Sequence, residues 1–268
     1  MASAAGEHFQ NDTKPLIGLI DRWIYVFMAA LFVITTLVGF IPDSIFKIGL
    51  VEAGKRSPFP LILHVHAVLM GSWLMLLLAQ TILMATGNSS HHQKLGILSF
   101  LLAPLIILSG FVLVPTMYGQ VWGTAQSPPP GLEAEVTALL AHVTNIMLIQ
   151  FRAGALFALF VFLALRARKT DSGFHKRMII LATVIPMPAS IDRIQWLPAT
   201  LPESAWSPDL YTLLWVSPMF LWDLFRLRRI HRAYIVWLSF WLPAVAALQL
   251  LWGTQWWQST APGLLGFS

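Results

Sequence analysis

Apolar runs bounded by charge, Gly or Pro recur near 22–42, 61–86, 95–115, 136–166, 177–199, 208–226 and 232–253. Each approaches or exceeds the roughly 20 residues a helix needs to cross the hydrocarbon core of a bilayer. Because an isolated segment in lipid must satisfy its own backbone hydrogen bonds, the pattern predicts seven helices in an all-α, polytopic membrane helical bundle. Pro60 and Pro208 suit the first turns of helices, whereas Pro186 and Pro188 predict a kink within the fifth span. In the second span His66, Trp73 and Gln80 recur at sevenfold spacing, so they share a stripe that is expected to face the interior. His64, two residues before His66 and about 200° around the helix from it, cannot share that face.

Three turns repeat one plan: His92-Gln93-Lys94-Leu95-Gly96, His175-Lys176-Arg177-Met178 and His231-Arg232-Ala233-Tyr234 each set a histidine beside basic residues at the start of a helix. The chain then reads as a single domain, 1–268, of one helix plus three hairpins. Composition agrees, since 57% hydrophobic and 11% charged residues, with a mean hydropathy of +0.69, lie far from the roughly 25% charged of a soluble domain. The net charge of +5 comes from basic clusters between the apolar runs, where they act as topology signals; nucleic-acid binding is thereby excluded. With no cysteine, any metal must be held by His, carboxylate or Met.

Orientation follows from the same clusters. Arg166, Arg168, Lys169, Lys176 and Arg177 follow the fourth span, Arg226, Arg228, Arg229 and Arg232 follow the sixth, and the loop 116–135 has neither Lys nor Arg. The positive-inside rule then expects a cytoplasmic N-terminus and an external C-terminus, although Lys47, Lys55 and Arg56 in the loop 43–60 run against it. The first sixteen residues lack the basic start, short apolar stretch and small-residue cleavage site of a signal peptide, so the first span is expected to serve as an uncleaved signal.

At about 1.5 Å per residue, His66 lies about 31 Å above Gly87 and His142 about 36 Å above Arg166, both near the outer interface. His92 and His175 lie near the inner one. Antiparallel helices can thus offer two cross-bundle pairs, and neutral imidazoles suit iron, copper and zinc alike. The candidate cofactor ligands are therefore His66, His142, His92 and His175, with haem b the favoured group. The alternatives are a divalent metal ion on His64, His66 and His142, with Glu133 or Glu135 in support, or no cofactor at all. Arg152 and Asp192 each stand about 21 Å above the inner ends of neighbouring spans. Their equal depth predicts an ion pair, since an unpaired charge in hydrocarbon costs a few kcal/mol or more. Asn145 lies one heptad above Arg152 on the same stripe, and Arg193 is expected to snorkel outward.

Over roughly 60–268 the chain resembles a family of uncharacterised multi-spanning bacterial inner-membrane proteins. The residues that carry this are the His66/Trp73/Gln80/Gly87 stripe, His92 with Lys94-Leu95-Gly96, His175-Lys176-Arg177-Met178 followed by Arg193, and an inner-face motif of Asp223 with His231. This resemblance implies the cell inner membrane and no particular activity. A weaker one is to the di-haem transmembrane cytochromes b reduced by ascorbate, whose four central helices each supply a histidine. It implies His66 with His142 and His92 with His175 as haem ligands. The present chain departs from that pattern in having seven spans rather than six and inner histidines at the helix mouths.

Four functions compete on these residues. One is a redox protein on b-type haem, passing electrons between a quinol or small reductant and an acceptor. A histidine-based metal protein is the second, and a non-catalytic accessory or lipid-binding subunit of a larger membrane complex is the third. The fourth, a transporter, would use Arg152 and Asp192. Nucleophilic catalysis has no candidate residue.

Overall fold

The computed structural model describes residues 2–267, with side chains from Pro15 onward; the leader expectation rests largely on side chains outside that description. In order the helices are α1 (Ala2–Glu52), α2 (Leu61–Ala85), α3 (Ser89–Leu95), α4 (Ser99–Gln126), α5 (Glu133–Ala167), α6 (Ser172–Thr183), α7 (Pro188–Ile191), α8 (Trp206–Leu227), α9 (Arg232–Leu251) and α10 (Gln255–Leu264). A 3-10 turn, Gly96–Leu98, joins α3 to α4, and no strand occurs among the described residues.

Among the described residues, five segments are long and apolar enough to cross a membrane: Pro15–Glu52, Leu61–Ala85, Ser89–Gln126, Glu133–Ala167 and Arg232–Leu251. They correspond to the first four expected spans and the last. The expected spans at 177–199 and 208–226 are built differently. Helix α6 stops at Thr183 because Pro186 and Pro188 offer no N–H to the carbonyls four residues back, so two rungs of the ladder are missing. The expected kink is thus a break, and the chain turns into the four-residue α7. Helix α8 has 22 residues, but Ser207, Asp209, Thr212, Ser217 and Asp223 dilute its apolar character.

Helix α6 is the centre of the molecule. Met178, Ile180, Leu181, Ala182 and Thr183 in its second half, with the C-cap Val184, have no exposed surface, which accounts for the continuous apolar run there. It packs against α5, α9 and α1, while α2 lies between α1 and α4. Outward faces instead carry exposed Ile34, Phe111, Leu221 and Leu250. Apolar surface of that extent suits lipid rather than water. Where α1 crosses α7, a Cβ on Gly39 would run into the carbonyl oxygen of Ser190, so only glycine permits this approach.

Two of the expected hairpins, α2 with α4 and α5 with α6, pack closely. In the third, α8 and α9 are linked by side chains: Tyr234 donates to Asp223 at 2.6 Å and its ring meets Phe220 edge-on at 5.1 Å. Trp237 of α9 donates to the Leu181 carbonyl at 3.0 Å, tying that helix to α6.

Candidate functional site

The α2 stripe does face inward. Trp73 is buried, donates to Thr183 Oγ1 at 3.1 Å and meets Phe157 edge-on at 5.3 Å. His66, one heptad earlier, is half-buried, whereas His64 is exposed and stands edge-on to Phe59. Gln80, one heptad later, carries a buried amide with no hydrogen-bond partner on either its oxygen or its nitrogen. That amide lies against Gly96, where an added Cβ would come within 3.3 Å of Nε2.

Donor accounting assigns the proton on one imidazole. His66 Nδ1 meets the Ser109 hydroxyl at 2.8 Å, and that hydroxyl also lies 2.9 Å from the Ile106 carbonyl, so the ring is held whichever of the two groups donates. His175 Nδ1 sits 2.8 Å from the Ala164 carbonyl, which only accepts. The His175 ring is therefore Nδ1-protonated when neutral, with the Nε2 lone pair turned elsewhere. This is the tautomer and orienting bond of a metal-ligating histidine. His92 and His142 show the complementary state: each Nδ1 is buried without a partner.

Each expected pair thus combines one oriented ring with one orphaned ring. His92 and Arg168 lie near His175, so the inner pair shares one neighbourhood. For the outer pair, the charged groups near His142 are Asp192 and Glu203, while His66 turns to Ser109 and Gly110 on α4. Among the described residues no group of three or more His, Asp or Glu side chains is assembled as a metal site; His64, His66 and His142 are not brought together in one.

The intramembrane charges pair otherwise than their depths predict. Arg152 binds Asp209 at 2.5 Å, both side chains being less than a tenth exposed, and Gln249 donates to the same carboxylate at 3.1 Å. Asp192 is not its partner. The break at Pro186 and Pro188 voids a depth counted along a continuous helix, and it leaves Asp192 exposed at the end of α7 beside Arg193. Arg193, expected to snorkel, turns onto Asp43 at 3.1 Å and lies over Phe40. Asn145 accepts from Gly253 N at 3.0 Å and from Gln258 at 2.8 Å, so it pins the approach to α10.

The inner-face motif forms a closed network. Arg177 grips Asp223 with two bonds of 2.7 and 2.5 Å, gives a third to the Gly173 carbonyl at 2.9 Å, and shares Asp223 with Tyr234. His231 caps α9, its Nδ1 accepting from Ala233 N at 3.1 Å; burial, above all, pushes its imidazole below the ordinary histidine range. Asp171 caps α6 by accepting from Phe174 N at 2.8 Å and pairs with Arg232. Chiefly that backbone bond holds its carboxyl below the usual carboxylate range.

Sequence reasoning missed Asp209, Ser109 and the Ala164 carbonyl. Counted from Leu227, Asp209 stands about 27 Å up α8 against about 22 Å for Arg152 up α5 from Ala167. That is within one helical turn, so depth counting along the sixth span contained the signal. No comparable signal marks a serine or a backbone carbonyl that orients a ring. Comparison with protein-family models, curated proteins and solved structures finds no match to this chain.

Proposed function

We propose that the protein is a multi-pass redox protein of the cell inner membrane that holds b-type haem on histidine pairs, with His92 and His175 as the principal axial pair. The observation that carries this reading is the state of the four rings: His175 presents an oriented Nε2 lone pair, His66 is held at Nδ1 by Ser109, and His142 and His92 retain buried Nδ1 atoms in need of a partner. The orphaned amide of Gln80 is consistent with a missing polar ligand at the inner end. The residues fit the group, because two neutral imidazoles in an apolar bundle are what a six-coordinate haem requires of a protein.

Haem held there would supply one-electron chemistry, passing electrons between a quinol or small reductant and an acceptor. The chain's own part is to fix ring orientation. The Ala164 carbonyl holds the His175 Nδ1 proton, which raises the basicity of the opposite nitrogen, and Ser109 holds the His66 ring. Helices α1, α5 and α9 exclude water from α6 and keep the dielectric low around His175. In this reading the broken α6–α7 segment and α8 complete seven spans, with the basic turns facing the cytoplasm.

The test is the visible spectrum of the purified protein, oxidised and dithionite-reduced, after growth with haem precursor. A strong Soret band with sharp reduced bands is expected. H92A and H175A should each abolish the low-spin signal of the inner site, and H64A should leave it intact. A protein that stays colourless even after addition of hemin, or an H175A variant with an unchanged spectrum, would overturn the reading. For orientation, a cysteine placed at the exposed Ser172 is expected to react with an impermeant maleimide only after the membrane is opened; labelling in intact cells would reverse the topology.

A further inference from the structure

A cleft of about 340 Å³ opens between α4 and α5 at the end where the basic turns lie, and no histidine lines it. Its walls are apolar, formed by Ala103, Pro104 and Ile107 on one side and Ala158 and Val161 on the other, with exposed Phe100 and Phe162 as its lips. Its mouth is cationic. Arg166 and Arg168 both line it, and among the described residues neither meets a carboxylate.

Arg168 does not extend into solvent as a snorkelling side chain would. Its guanidinium folds back across the mouth, donating to the Leu165 carbonyl at 2.8 Å and lying 4.8 Å over the Phe100 ring of α4. Arg166 makes no hydrogen bond within the described residues. From Arg166 up to Ala158 is eight residues, or roughly 12 Å of α5, a depth that matches the upper part of one acyl chain. Two guanidiniums lining the mouth of an apolar slot at a membrane interface form the chemistry of an anionic phospholipid site, with phosphate at the cationic mouth and one tail in the cleft.

We propose that the α4–α5 cleft binds one anionic phospholipid of the leaflet on the side of the basic turns. A zwitterionic lipid would bring its own cation to a mouth that already carries two. The site does not depend on haem, so it stands or falls separately from the redox reading.

The experiment is native mass spectrometry of the full-length protein in detergent, titrated with phosphatidylglycerol or phosphatidylcholine. One phosphatidylglycerol per chain is expected to bind preferentially. R166Q/R168Q should weaken it by about tenfold or more, since each interfacial arginine contributes on the order of a severalfold preference for anionic lipid. The charge-matched control K169Q/R229Q removes two cations that do not line the cleft and should retain binding. A158F, which fills the slot and leaves the charges, should lose the bound lipid as well. Equal binding of the two lipids, or equal losses in the arginine pair and its control, would overturn the proposal. Should A158F fail to fold, the surface variants still decide.

Discussion

One turn of α6 presents two opposite electrostatic situations. His175 and Arg177 are two residues apart and so point to nearly opposite sides of the helix. On the Arg177 side every strong polar group is answered: Asp223 takes two bonds from arginine and one from Tyr234, and Gly173 takes a third from the guanidinium. On the other side the accounts stay open, with a free lone pair on His175 and a buried unpartnered Nδ1 on His92, and where α2 meets Gly96, four residues past His92, Gln80 carries an unpartnered amide. Buried polar groups in native proteins are nearly always satisfied. A closed network therefore reads as a clamp that holds α6, α8 and α9 together, and an open one as a place prepared for something else.

The sharpest way to break that comparison is to open the closed side. Asp223→Ala leaves the Arg177 charge buried without its partner and is expected to destabilise the protein by about 3–5 kcal/mol, the usual consequence of removing half of a buried pair. Denaturant unfolding in detergent would show it, and the double variant R177M/D223L should recover most of the loss. A single variant costing less than about 1 kcal/mol would mean that water reaches the network and that it is no clamp.

Closing the open side should do the reverse. Gln80→Leu removes a desolvated amide and is expected to stabilise the cofactor-free protein by about 1 kcal/mol, since an unsatisfied buried polar group costs about that much. The same variant should retain less haem on dilution. Loss of stability without any change in cofactor retention would show that Gln80 is satisfied in the native membrane and irrelevant to a ligand.

The smallest effect belongs to the rim, where Asp171 caps α6 beside both networks. A carboxyl held below its unfolded value adds stability that is present above the unfolded pKa, near 4, and is lost as pH falls through the folded one. The melting temperature of wild type should therefore exceed that of D171N at neutral pH, and the gap should narrow below about pH 4. A gap that widens in acid would reverse the sign and remove Asp171 as the cap.

Much of the architecture was legible along the chain. Hydropathy marked the helices because each lipid-facing segment must be apolar over its full length, and the heptad of His66, Trp73 and Gln80 marked the inward face of α2 because helical periodicity is local. Depth counting placed Arg152 in the buried zone where a carboxylate had to meet it. The tertiary structure alone decided which carboxylate. Asp192 and Asp209 both satisfy a depth rule, but the double proline break in α6–α7 throws the first outward and leaves the second facing Arg152. The orientations of the histidine rings likewise belong to the fold, since they depend on a serine hydroxyl and a backbone carbonyl contributed by other helices. Sequence by itself determines what each helix must bury, because burial is a property of a segment; the identity of the partner is a property of two segments, and it is settled only where they pack.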